Sequence, residues 1–363
     1  MLKLGILGCG AISGFYFNGA EKLFPNHMKV VACSDVFEDK AKQAAEKWGC
    51  KAISYEEMLQ DEAIDMIVNL TVPKAHYETN MAAIAAGKHV YTEKPFALNR
   101  EDAKKMIRAA EEKGVILCSA PDSFMGNPFQ TAKKLLSEGI IGDIVGVNAV
   151  CPLRGNEMGG KRRVDFFYQK GAGPIWDMGA YYLNVLISLF GPIHSVTGVG
   201  RITWENRVYP VGEFKGEKIP VEVPTHTIGV FELKNGVLCN FTNSFDMYKT
   251  AAPYFEVYGE KGTMVLPFPN FYEGDVLVAI GKGEFEKVDQ FSGYVDGFNR
   301  CAAIADIDNC LQNGSSPIIG TDMMYHVVDA MCAWEESIEQ GKKILLSSSC
   351  KHLEGMWLRE AIC

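Results

Sequence analysis

LKLGILGCGAISG, residues 2–14, runs a short apolar strand directly into a glycine turn. Gly8 permits the tight turn, and Gly10 lets the backbone approach a pyrophosphate. Ala11 and Ile12 then open a helix whose N-terminal N–H groups favour a phosphate charge. Ser13 stands where the third glycine of G-x-G-x-x-G usually lies, which predicts slightly looser packing of helix on strand. The pattern is weak alone; here it follows a strand, precedes a helix and is followed by Asp35 at the end of the second apolar run. A carboxylate there grips ribose hydroxyls and repels a 2′-phosphate, so the expected cofactor is NAD in preference to NADP.

Outward from this turn, residues 2–119 alternate short apolar runs with helical patterns: KVVACS then EDKAKQAAEKW, DMIVNLT then HYETNMAAIAAG, HVYTE then REDAKKMIRAAEEKG, and finally VILCSA. Such alternation predicts βαβ units in a doubly wound parallel sheet, a dinucleotide domain over residues 1–121. Ligands of such sheets gather at the carboxyl ends of the strands. Two further clusters fall there: Leu70-Thr71-Val72-Pro73 with His76, and Glu93-Lys94-Pro95. His76 reads equally as a first-turn helix residue or a cofactor contact. Lys94, between an acid and a proline, is biased to extended backbone and aimed into the crevice.

A second stretch, GAGPIWDMGAYYLNVLISLFGP (171–192), reads as one helix with two unlike sides. At about 100° per residue, Leu183, Leu186, Ile187 and Phe190 form an apolar stripe, opposite Asp177, Tyr181, Asn184 and Ser188. That polar side is either a buried seam or a reaction site.

The totals narrow the function classes. The 363 residues, 47% hydrophobic and 22% charged, suffice for two domains. A net charge of −9 opposes nucleic-acid binding, and the basic stretch GGKRRVD (159–165) is too short to change that. No run approaches the roughly 18 apolar residues of a membrane span, and the first residues lack a signal-peptide pattern, so a cytoplasmic protein is expected. Eleven scattered cysteines form no C-x-x-C pair, so neither a disulfide framework nor a metal site is expected.

The series GCGAIS, Asp35, LTVPKAH, TEKPFAL and GAGPIWDMGAYYLN resembles the Gfo/Idh/MocA family of NAD(P)-dependent oxidoreductases over nearly the whole chain. The resemblance implies a C-terminal α/β domain with an open, mostly antiparallel sheet, here residues 122–363, that binds substrate and mediates homo-oligomerisation. It implies sugars, polyols or glycosides as substrates. In the family motif Asp and His lie four residues apart and the Lys of E-K-P completes a proton-handling group; Asp177 and Lys94 match, but Tyr181 replaces the histidine. Three assignments stand: a Lys-assisted Tyr181 relays the proton; Lys94 takes it while Tyr181 bonds a substrate hydroxyl and Asp177 fixes the lysine; or Tyr181 is structural filler. His226 is a candidate for the missing imidazole. Tyr168, Trp176 and Asn184 are candidate sugar contacts.

The second domain's own pattern agrees. Lys234-Asn235-Gly236 and Gly259-Glu260-Lys261-Gly262 read as hairpin turns, and two helices are expected at about 293–312 and 321–341. The leading expectation is a dehydrogenase of secondary alcohols. The alternatives are glycoside cleavage by transient oxidation and elimination, and a non-enzymatic NAD-sensing protein.

Overall fold

The alternating runs of the first third form a parallel sheet in the computed structural model, which describes residues 1–160, 162–290 and 299–351. Strands β1 (Leu2–Leu7), β2 (Met28–Ser34), β3 (Lys51–Ala52), β4 (Met66–Asn69), β5 (His89–Thr92) and β6 (Leu117–Ser119) lie in the order β3-β2-β1-β4-β5-β6. All pairs are parallel. β1 and β4 are buried almost throughout, as strands covered on both faces must be. The helices between them start and stop where local chemistry dictates. Ser54 and Glu57 form a capping box before Tyr55–Gln60, and Gly114, left-handed at φ 71°, ends Arg100–Lys113. Strand order reverses between β1 and β4, so the crevice opens where Gly8 and Leu70 leave them.

The remaining strands are β7 (Ile144–Pro152), β8 (Ile193–Arg201), β9 (Asn206–Val208), β10 (Lys218–Pro220), β11 (His226–Leu233), β12 (Leu238–Ser244), β13 (Phe255–Gly259), β14 (Gly262–Leu266), β15 (Leu277–Ile280), β16 (Glu286–Lys287) and β17 (Ile344–Leu345). Among the described residues nine of them form one sheet, β16-β15-β14-β13-β7-β12-β11-β8-β17, antiparallel except for β7 beside β12; β9 and β10 pair separately. The two expected turns join β11 to β12 and β13 to β14. Helices Gly179–Phe190 and Thr321–Gln340 cover one face. There Trp334 is fully buried between Phe231, edge-on at 5.1 Å, and Phe241 at 5.2 Å, each ring contributing about 2–3 kcal/mol by burial. On the opposite face Val199, Val230 and Leu238 are exposed.

Two elements differ from expectation. The stretch 171–192 is two helices, Pro174–Asp177 and Gly179–Phe190, broken at Met178, whose φ of −105° departs from helical values. The second is buried on every side and has no solvent face. The helix expected from about 293 is seen as Ala302–Asn313; residues 293–298 lie outside the described part. It packs beside β2, and its Asp308 pairs with the Met1 ammonium and with His27, each at 3.1 Å. Helix Thr321–Gln340 falls where expected. No helix among the described residues is long and apolar enough to cross a membrane.

Candidate active site

The turn after β1 has the form a pyrophosphate requires. Gly8 has φ +102°, and a Cβ there would stand 2.8 Å from the Leu70 carbonyl oxygen, so only glycine fits between β1 and the end of β4. A Cβ on Gly10 would meet nothing within 4 Å; this backbone, with exposed Ala11 and half-buried Ile12 after it, faces open space. Ser13 is buried, and its hydroxyl donates back to the Gly10 carbonyl at 2.8 Å, so the missing third glycine is replaced by a side chain that tightens the turn. Asp35 follows β2, its two oxygens accepting the Cys9 N–H at 2.8 Å and the Phe37 N–H at 2.9 Å. Each oxygen keeps lone-pair capacity for a ribose hydroxyl. Val36, Phe37 and Val72 are exposed at the ends of β2 and β4. They are apolar surfaces suited to an adenine; Val72 belongs to the cluster singled out in the sequence, whereas Val36 and Phe37 do not, although an apolar pair directly after the acid was the available signal. These residues fit a dinucleotide.

At the same end of the sheet, Lys94 leaves β5 through Glu93. One Glu93 oxygen accepts the Lys94 N–H at 2.9 Å and the other the Tyr16 hydroxyl at 2.8 Å, which ties the loop to the first helix. The Lys94–Pro95 bond is cis. The Lys94 ammonium donates to Asp177 Oδ1 at 2.7 Å and to the Asp177 carbonyl at 2.8 Å, joining residues 83 apart in sequence. The pair is mostly buried, with side chains 17% and 12% exposed. Burial pulls the Lys94 pKa down, but the Asp177 carboxylate, Tyr181 and the hydrogen bond outweigh it and hold the group above its ordinary value, as an ammonium at neutral pH. The Tyr181 ring lies 5.4 Å from Lys94 Nζ. Burial pushes the Tyr181 phenol up; Arg300 and Lys94 oppose this without reversing it, so Tyr181 keeps its proton.

The other expected residues divide. His76 is 1% exposed, and its two ring nitrogens reach the Pro95 carbonyl at 2.9 Å and the Thr71 carbonyl at 3.1 Å. It braces the two loops that flank Lys94, with burial holding its pKa down against those carbonyls. Thr71 bonds Asn69 through its N–H and hydroxyl, and Pro73 opens the short turn Pro73–Ala75. Asn184 and Ser188 are the buried seam: their side chains donate to the Ala180 and Val185 carbonyls of their own helix. Trp176 is buried where helix Thr321–Gln340 presents Glu335, whose carboxyl is pushed up to about 7 by burial, with Trp176 acting the other way. Tyr168 is buried, its hydroxyl donating to Glu157 in a network with Arg207 and Asp246. His226 bonds Ser244 Oγ at 2.8 Å, and no hydrogen bond among the described residues joins it to Lys94, Asp177 or Tyr181. Two neighbours of the central group had no local signal in the sequence. Asn156 Nδ2 stands 3.5 Å from Asp177 Oδ2, and Arg300 Nη2 stands 3.2 Å from the Tyr181 hydroxyl.

Comparison with known proteins bears on this geometry. The profile described as an oxidoreductase family with NAD-binding Rossmann fold, GFO_IDH_MocA, matches residues 2–120, and that of the GFO/IDH/MocA C-terminal domain matches residues 129–265. The scyllo-inositol 2-dehydrogenase (NADP(+)) IolW of Bacillus subtilis is 32% identical over 205 residues, 54% of this chain and 54% of that protein. The trans-1,2-dihydrobenzene-1,2-diol dehydrogenase of Mus musculus is 28% identical over 205 residues, 55% of this chain and 60% of that protein. The chain thus spans little more than half the length of these curated relatives. A levoglucosan dehydrogenase solved with NADH and levoglucosan superimposes with a TM-score of 0.82 at 20% identity, over 96% of this chain and 100% of that chain, a likeness of fold. Both halves of one family are present in order along the chain, and the protein belongs to the Gfo/Idh/MocA oxidoreductase family, its parallel-sheet portion being the NAD-binding Rossmann domain.

Proposed function

We propose that the protein is a cytoplasmic NAD-dependent oxidoreductase that moves a hydride between the nicotinamide and a secondary alcohol or ketone of a sugar, polyol or glycoside. The Lys94–Asp177 pair carries this reading: a charged, nearly buried contact of 2.7 Å at the crevice end of the dinucleotide sheet. The similarity to a polyol dehydrogenase and a sugar dehydrogenase supports the substrate class.

NAD, when bound, supplies the redox step; the protein's own residues manage one proton. Lys94 has three N–H bonds, of which Asp177 takes two, leaving one for a substrate oxygen. In reduction the ammonium gives that proton to the oxygen of the carbonyl, and the resulting amine is reprotonated from solvent. In oxidation the neutral amine takes the proton of the hydroxyl. Because Lys94 is held above its ordinary pKa, oxidation should quicken as pH rises and reduction should fade in the alkaline range. Tyr181, protonated at neutral pH, orients the substrate by hydrogen bonding. We assign cofactor preference to Asp35, whose anchored carboxylate favours NAD. A second copy is assigned to the uncovered face of the nine-stranded sheet around Val199, Val230 and Leu238.

The test is a screen of scyllo-inositol, myo-inositol, levoglucosan and aryl glycosides with NAD, following absorbance of the reduced cofactor and analysing products. Net NADH with a ketone product is the expected result. Glycoside cleavage without net NADH would select transient oxidation and elimination, and failure to bind NAD(H) or NADP(H) by calorimetry would overturn the reading. Light scattering that returns only the 40.0 kDa monomer would refute the oligomer.

A further inference from the structure

Tyr181 lies between two cations, Lys94 at 5.4 Å and Arg300 at 5.9 Å from its ring centre. They engage it differently. Lys94 spends two of its hydrogens on Asp177. Arg300 reaches the phenol oxygen itself, Nη2 donating to the hydroxyl at 3.2 Å. The guanidinium is 1% exposed and held on its other edges, Nη2 also donating to Asn270 Oδ1 at 2.7 Å and Nη1 to the Asn299 carbonyl at 2.7 Å.

The backbone around Arg300 is built to keep it there. Cys301 has φ +90°, the one non-glycine residue in that region among those described. Its N–H donates to Asp122 Oδ2 at 3.1 Å, and the same oxygen accepts the Ala303 N–H at 3.2 Å, so a fully buried carboxylate holds the start of helix Ala302–Asn313. Gly19 on the opposite wall leaves the room: a Cβ there would stand 2.6 Å from Cys301 Sγ and 2.8 Å from the Arg300 carbonyl.

We propose that Arg300 is a positioning residue that acts through Tyr181. Because a guanidinium only donates, its bond to the phenol oxygen turns the phenol's own proton away from Arg300 and toward the crevice. Tyr181 thereby becomes a hydrogen-bond donor to a substrate oxygen, with Lys94 left as the proton carrier. This deepens the role given to Tyr181 above and rests on that reading.

The experiment is a double-mutant cycle in the full-length protein with Arg300→Lys, Arg300→Met and Tyr181→Phe, each alone and the two Arg300 variants also combined with Tyr181→Phe, with scyllo-inositol and levoglucosan as probes. Arg300→Met is expected to lower kcat about tenfold when Tyr181 is present and no more than about twofold in the Tyr181→Phe background, at unchanged NADH affinity. Arg300→Lys keeps the charge and recovers part of the loss, which also covers the case that Arg300→Met fails to fold. Equal losses in both backgrounds would overturn the proposal. A second readout needs no turnover: in protein carrying ¹³Cζ-tyrosine, the resonance absent from Tyr181→Phe should shift in Arg300→Lys while the other tyrosine resonances stay. An unmoved resonance would overturn the proposal. Absence of turnover in the wild type with every sugar and polyol, alongside a moved resonance, would refute the enzymatic reading and leave the Arg300–Tyr181 assignment standing.

Discussion

Replacing Lys94 by Met keeps the stem and removes the ammonium, leaving Asp177 as a carboxylate 12% exposed whose remaining side-chain partner among the described residues is Asn156 at 3.5 Å. At a separation of 2.7 Å and an effective dielectric of about 20, Coulomb attraction amounts to about 6 kcal/mol. Desolvation of the two charges offsets much of it, so breaking the pair from one side should cost about 3 kcal/mol of stability. Lys94→Met with Asp177→Asn removes both charges and should recover all but about 1 kcal/mol. Turnover should behave oppositely: it falls by about 10²–10⁴-fold in Lys94→Met and the second substitution restores none of it, while NADH affinity stays within about threefold because the proposed cofactor contacts lie at Gly10 and Asp35, away from the substituted pair. Urea unfolding followed by circular dichroism, NADH titration by fluorescence and steady-state rates measure the three quantities. A double variant as unstable as Lys94→Met would refute the ion pair, and more than about a tenth of wild-type turnover in Lys94→Met would put the proton elsewhere, with His226 the next residue to replace.

Tyr181→Phe should lower kcat about tenfold, the worth of one hydrogen bond of about 1.4 kcal/mol, and leave the pH–rate profile in place, since burial keeps the phenol protonated; loss of an alkaline limb would restore the proton-relay role. Asp35→Ser, followed by cofactor titration, should raise the ratio of NADP to NAD affinity, and a wild type that already prefers NADP would refute the assignment of Asp35. Gly19→Ala should cost about 1–3 kcal/mol in a denaturant melt by overpacking and should lower turnover as well, because the displaced atoms belong to Arg300 and Cys301; a neutral result would mean that this wall yields freely.

Five strands of the parallel sheet were legible because their signals are local, an apolar run that passes into a turn and a helical pattern, as at Gly8 and before Arg100–Lys113, which ends at Gly114; β3, two exposed residues long, and the short helix Tyr55–Gln60 after it carry too little pattern to read. Lys94 and Asp177 were legible from motif and position, although nothing local says that they touch. The helix break at Met178 was hidden because its φ of −105° and ψ of −20° hardly disturb the rotation of successive side chains. The apolar and polar stripes therefore run through it as if one helix were present. The sequence left the polar side open between a buried seam and a reaction site because a stripe of polar residues has the same spacing in both; the enclosed helix has Asn184 and Ser188 donating to its own carbonyls. Arg300 was out of reach: it meets Tyr181 across 119 residues, and a single arginine ahead of a helix carries no pattern.

The position of Arg300 bears on how enzymes of this design can be recombined. A chimera joining residues 2–120 to 129–265, the two segments matched by the family profiles, would inherit the cofactor turn, Lys94, Asp177 and Tyr181. It would lose Asn270, Arg300 and the Asp122-bound start of helix Ala302–Asn313. Such a recombinant would carry every residue of the recognised motif with its tyrosine unheld. The inheritable unit of the proposed reaction centre therefore runs from β1 to the start of that late helix, and any crossover point chosen between substrates should fall outside it.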